Sequence, residues 1–247
     1  MASEAGHWYT QEGTPAYTMI GKNGQERNTT LRDARTMNLV PSVTTIIRCA
    51  SAFGLERWKA EQVLMAGLTL PRLDGEDEKA WIGRVWDDSK EQGKKAAERG
   101  TAIHAAIEGS FQGLTPPDEF KPYVDGALEV IKALGKQDWQ PEKSFASTLG
   151  YGGKVDLHSP EVVLDFKTKD GDLSEVKCWD EHYMQVAAYD AGLRKVPDLG
   201  RCGIVFVSRT HPGVARLIMH SEVETARGWE MFTHLLAYWK AANRHGA

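Results

Sequence analysis

The stretch from Gly150 to Lys169 constrains this chain more than any other. Two apolar-alternating runs flank a turn at His158 to Pro160, which predicts a β-hairpin. On the second arm Asp165 and Lys167 are two residues apart, so a strand points both to one face and Phe166 to the other. Asp156 closes the first arm, and the hairpin can bring it beside Asp165. Two neighbouring carboxylates repel, and a divalent cation between them converts that repulsion into binding. Lys167 would then orient an attacking water and stabilise negative charge developing on a phosphate. An Asp-x-Lys alone is too short to decide, since any solvated hairpin face can show one.

The surrounding motifs change the odds. Upstream, Arg99-Gly100-Thr101-Ala102-Ile103-His104 lies on a helical stretch; downstream, Gln185-Val186-Ala187-Ala188-Tyr189 lies on another. With Gly153 to Asp156 and Asp165 to Lys167 between them, this ordered set resembles the PD-(D/E)XK nuclease superfamily in its RecB-like, phage-type exonuclease branch. The resemblance implies that His104, Asp156, Asp165 and the backbone carbonyl of Phe166 hold Mg²⁺ or Mn²⁺. It implies catalytic roles for Asp156, Asp165, Lys167 and Gln185, with Tyr189 nearby as a positioning group. Glu108, one turn after His104 on the same helical face, either orients His104 or lies at the surface, and the surface is the expectation.

Composition is compatible with this reading and adds little to it. The 247 residues suffice for one ample domain, and a net charge of −4 leaves room only for a local basic groove. Three dispersed cysteines, Cys49, Cys178 and Cys202, make no disulfide framework. Four would be needed for the iron–sulfur cluster of some RecB-like relatives, so none is expected. Without a leader or a bilayer-length apolar run, the expected location is the cytoplasm, that of a bacterial host for a phage-encoded chain.

Residues 1 to about 40 predict short strands and turns, with Asn23-Gly24 a hairpin signal and the aromatics used for packing. Pro41-Ser42-Val43-Thr44-Thr45 opens a helix. Ser42 and Thr44 there are either a plain cap or, as in phage-type exonucleases with a similar segment, a grip on a DNA phosphate. Residues 76 to 112 read as helical, with Gly93 a candidate interruption. Lys94, Lys95 and Arg99 on it are candidate contacts to a DNA backbone, although Arg99 lies roughly 140° around the helix from His104. After Pro116-Pro117 come a helix from Phe120 and a strand from Glu142, then the hairpin, a helix from Trp179, strands at Arg201 and Val214, and a last helix capped at Ser221. The Trp229, Phe232, Leu236 and Trp239 stripe on that helix is core.

These elements predict an α/β fold, a central mixed sheet flanked by helices. It corresponds to a restriction-endonuclease-like core over residues 99–247, elaborated by N-terminal strands (1–40) and a helical lobe (41–98) within one domain. The function implied is metal-dependent exonucleolytic hydrolysis of DNA in phage or prophage recombination or DNA processing, beside a single-strand annealing or recombinase protein. The competing readings are an endonuclease on the same core and a non-catalytic DNA-end-binding module.

Overall fold

The computed structural model describes residues 6–50, 53–194 and 200–245. The chain divides into a main unit, Met1–Ala50 with Ala106–Ala247, and a helical unit, Ser51–Ala105. In chain order the main unit begins with β1 (Trp8–Tyr9), β2 (Thr18–Ile20), β3 (Glu26–Asn28), α1 (Leu31–Thr36), β4 (Val40–Pro41) and α2 (Val43–Ile47). Then follow α3 (Phe53–Thr69) and α4 (Glu78–Phe111), whose last turns return to the main unit. The remainder is α5 (Lys121–Ile131), β5 (Gln140–Ser147), β6 (Tyr151–His158), β7 (Val162–Lys169), α6 (Asp180–Arg194), β8 (Arg201–Ser208), β9 (Ala215–Met219) and α7 (Glu222–Asn243).

The last five strands form one sheet in the order β5-β6-β7-β8-β9. All neighbours are antiparallel except β7 and β8, which run parallel, so the sheet is mixed as the element pattern predicts. A parallel pair needs a crossover, and α6 supplies it. Helices α6 and α7 bury Met184, Ala188, Phe232 and Leu236 against Val163, Ile204 and Phe206 of the sheet. Alternation sends Leu164 and Phe166 to the opposite side, both fully buried. There α5 packs along β8 and β9 with Tyr123, Val124, Ala127 and Ile131 inward.

The N-terminal strands act as a clasp. β1 pairs with β4, and Trp8 is buried against Trp239, its indole N–H donating to the Thr29 carbonyl. The β2–β3 hairpin turns through Asn23-Gly24. At α2, the Ser42 hydroxyl accepts from the Thr45 amide at 3.0 Å and hydrogen-bonds the Thr44 hydroxyl at 3.0 Å. Ser42 is buried and bridges to Gly152, so this cap seats on the start of β6.

In the helical unit α3 and α4 form a hairpin, pinned where the Trp81 indole donates to the Leu70 carbonyl at 2.7 Å and Arg84 pairs with Glu76 at 2.9 Å. Helix α4 is uninterrupted at Gly93. The Trp58 ring of α3 lies beside Gly93, where a Cβ would meet it at 3.5 Å, an ordinary contact. The helix thus runs through this position despite the weak propensity of glycine, and not because the packing requires one. Among the described residues no helix is long and apolar enough to cross a membrane. The three cysteines are free: Cys49 is exposed, Cys178 half-buried and Cys202 buried.

Candidate active site

The site arises where β6 and β7 part. Their ladder pairs His158 with Val163 and Leu157 with Leu164, then stops. Asp156 and Asp165 occupy the next rung, directly opposite each other, where antiparallel side chains share a face. β7 stays paired to β8 through Lys169 and β6 to β5 through Tyr151, so the sheet opens between β6 and β7. The Asp156 carboxylate closes the gap by accepting the Phe166 amide at 2.8 Å. A strand residue directs its N–H and C=O to the same edge, so the Phe166 carbonyl projects to this side too.

Asp165 is enclosed, its side chain 2% exposed. One oxygen accepts from the Gln185 amide at 2.8 Å. The other faces the Lys167 ammonium at 2.5 Å and has no aligned hydrogen-bond donor among the described residues. Gln185 also donates to the Tyr189 hydroxyl at 2.9 Å. The two residues are one turn apart on α6 and both are buried, so Tyr189 steadies Gln185, which in turn steadies Asp165. Tyr189 fits because Gly153 opposite lacks a side chain; a Cβ there would sit 2.8 Å from its ring. Gly153→Ala is therefore expected to shift Tyr189 and loosen Gln185, costing about 1–3 kcal/mol by overpacking. Urea unfolding checks the loss of stability, and a fully stable variant would refute the tight contact.

Glu108, at the end of α4, is not the surface residue expected from sequence. Its carboxyl is half-buried and comes within 4.8 Å of an Asp156 oxygen. Burial first, then Glu142, pushes the Glu108 carboxyl up to about 7. Asp156 is raised well above the usual carboxylate range by burial and by Asp165. Burial alone would lower the Lys167 ammonium, but Asp165 and Asp156 outweigh it and hold it above the ordinary lysine range. Lys154, two residues before Asp156 on the same strand face, forms a short ion pair with Glu142 of β5.

This is a place where negative charge is in excess. Three carboxylates, Glu108, Asp156 and Asp165, converge with Lys167 as the ammonium among them. A buried Asp165 oxygen without an aligned donor and a carbonyl on the same edge complete a set of hard oxygen donors, which suits Mg²⁺ or Mn²⁺. The residues present fit a divalent cation.

The other sequence candidates lie on α4 and at the start of α2. His104 stands one turn before Glu108 on α4, on the same helical face, within the helical unit. Lys94 and Lys95 are exposed there and engage Glu98 at 3.9 Å and Glu91 at 2.7 Å; Arg99 is half-buried. The Ser42 hydroxyl is committed to its helix cap, and Thr44 beside it is half-buried. Sequence reasoning passed over Glu142 and Lys154. For Lys154 the signal was available, because it shares the strand face of Asp156.

No family model and no curated protein matches the chain. Among solved structures it is similar to a protein provisionally assigned as an exonuclease from Eubacterium rectale, with 14% identity and a TM-score of 0.39 over 75% of this chain and 69% of that one. It is also similar to an alkaline exonuclease from Laribacter hongkongensis, with 11% identity and a TM-score of 0.36 over 76% of this chain and 94% of that one.

Proposed function

We propose that the chain is a metal-dependent DNA exonuclease that hydrolyses phosphodiester bonds. The observation that carries this reading is the parting of β6 and β7 at Asp156 and Asp165, with Lys167 2.5 Å from Asp165. Asp156, Asp165, Glu108 and the Phe166 carbonyl would hold Mg²⁺ or Mn²⁺, with His104 as the nitrogen donor. A cation held there would supply Lewis acidity toward the scissile phosphate and the attacking water.

The chain's own residues do the rest. Lys167 orients the attacking water and stabilises charge developing on the phosphate oxygens. Gln185 and Tyr189 keep Asp165 in place, so that its second oxygen stays beside Lys167. Lys94, Lys95 and Arg99 of the helical unit, with Thr44 at the start of α2, contact the DNA backbone and set register without reading sequence. The motif order of the RecB-like branch and the Pro41 to Thr45 segment support a setting in phage or prophage recombination.

End-labelled linear DNA and covalently closed circles, each with Mg²⁺, Mn²⁺ or EDTA, test the reading. Metal-dependent loss of linear DNA with the circle intact is the expected result. Cutting of the circle would replace it with an endonuclease, and binding without cleavage would leave an end-binding module.

A further inference from the structure

The helical unit carries apolar surface that the nuclease reading leaves unused. On α3, Leu64 and Leu68 are 68% and 79% exposed; on α4, Ile82 and Trp86 are each 51% exposed. Each pair is one turn apart, so each forms a ridge along its helix. The helices run antiparallel, with Leu70 beside Trp81, Gly67 beside Val85 and Trp58 beside Gly93. The two ridges border one groove of about 530 Å³, with Gly67 and Val85 between them. The Trp81 indole N–H is already given to the Leu70 carbonyl, so the groove offers apolar surface rather than the convergent polar groups that orient a small ligand. A hairpin of two helices has one seam and encloses no core, whereas four helices do. Folded monomers rarely leave more than a few hundred Å² of contiguous apolar surface uncovered.

We propose that this groove is the interface of a homodimer, in which the α3–α4 hairpins of two copies pack into a four-helix bundle. Shape, area and charge each favour a second copy. Two ridges with a groove between them are complementary to the same surface turned about a two-fold axis, ridge into groove. A standard interface takes about 800 Å² from each partner, about 65% of it apolar in homodimers. The four ridge side chains are all more than half exposed and leave on the order of 100 Å² each to cover. Met65 and Leu73 of the same hairpin, 57% and 61% exposed, bring the apolar surface to the share a dimer needs. The unit from Ser51 to Ala105 holds nine lysines and arginines against ten acids. Its exposed charges pair within their own helices, Arg57 with Glu61 at 3.0 Å, Lys59 with Glu56 at 2.8 Å and Lys95 with Glu91 at 2.7 Å. Such a rim neither selects an oppositely charged partner nor repels a second copy. Lys94 lies eight residues past Trp86, about 12 Å along α4, beyond the ridge. The dimer is independent of the nuclease reading.

Sedimentation velocity of the intact chain, over a concentration series reaching the high micromolar range, tests the dimer. Wild type is expected to reach twice the chain mass. Leu68→Glu combined with Ile82→Glu should raise the dimer dissociation constant at least about tenfold, because it sets unpaired charge in the core of the interface. Both positions are exposed in the single chain and glutamate is a good helix former, so circular dichroism should match wild type. Val223→Glu on α7 replaces a side chain that is 77% exposed outside the hairpin and should leave the dimer intact. Hydrogen exchange on wild type gives a readout without substitutions: protection of residues 64–68 and 82–86 should rise with protein concentration. A chain that stays monomeric throughout overturns the dimer and leaves the groove to a different protein. So does a trimer or larger assembly, a dimer that the double variant leaves intact, or concentration-dependent protection confined to other segments.

Discussion

Replacing Lys167 with Ala is expected to lower DNA cleavage by about 10²–10³-fold, the range seen when a positioned group that stabilises transition-state charge is removed. DNA binding should stay near wild type, because backbone contacts elsewhere supply it. The effect on the fold takes more care. Lys167 faces a carboxylate that is 2% exposed, and deleting one partner of such a pair leaves an uncompensated buried charge. The Lys167 side chain is itself 29% exposed at the end of β7, so water screens part of that cost. Without metal the variant should therefore lose some stability, on the order of 1–3 kcal/mol, and divalent cation should return much of it by supplying the missing positive charge. Lys167→Met keeps the packing of the stem and separates lost charge from lost volume. Lys167→Arg keeps the charge on a planar fork of different reach and should not rescue turnover fully. Single-turnover cleavage with matched DNA-binding and melting curves measures all three. Unchanged turnover in Lys167→Ala would remove Lys167 from the mechanism.

What could be read from sequence divides along physical lines. The hairpin, the strand face shared by Asp165 and Lys167, and the Gln185–Tyr189 pair follow from local periodicity, which short-range sterics impose. The mixed sheet follows from the order of elements. The parting of β6 from β7 does not, because it is set by where the ladder ends, a tertiary property. The partners of Gln185 were equally out of reach, since spacing fixes its face but not the carboxylate it meets. Sequence alone leaves Glu108 at the surface or beside His104, and only the sheet brought near it sets it against Asp156. Glu142 was invisible for a stronger reason: glutamate has no intrinsic preference for a left-handed φ, so neighbours must impose it. Ser42 illustrates the converse, where the capping pattern was legible and the hydroxyl is found in the cap.

Asp156→Asn should produce two opposite changes in one protein. Cleavage should fall by about 10³-fold or more, because an anionic oxygen shared between cation and strand gap is gone. The metal-free fold, by contrast, should become more stable. In the native state Asp156 is held above its ordinary range by burial and by the facing Asp165, so the folded form disfavours its charge. The sign follows from linkage. A carboxyl whose folded pKa is raised makes folding less favourable once pH rises past the unfolded value, and neutral pH lies well above it. Asparagine removes that charge, and its side-chain carbonyl can still accept the Phe166 amide that closes the gap at 2.8 Å. A gain of about 1–3 kcal/mol would appear as a rise in melting temperature of roughly 2–10 °C. Divalent cation should then reverse the ranking. At about 100-fold over its dissociation constant it stabilises wild type by about 2.7 kcal/mol, and the variant should gain almost none of this. Melting curves of both proteins across a Mg²⁺ and a Mn²⁺ titration check the crossing. Equal metal-induced stabilisation in the two would place the cation away from Asp156, and a metal-free variant less stable than wild type would mean that the carboxylate serves the fold.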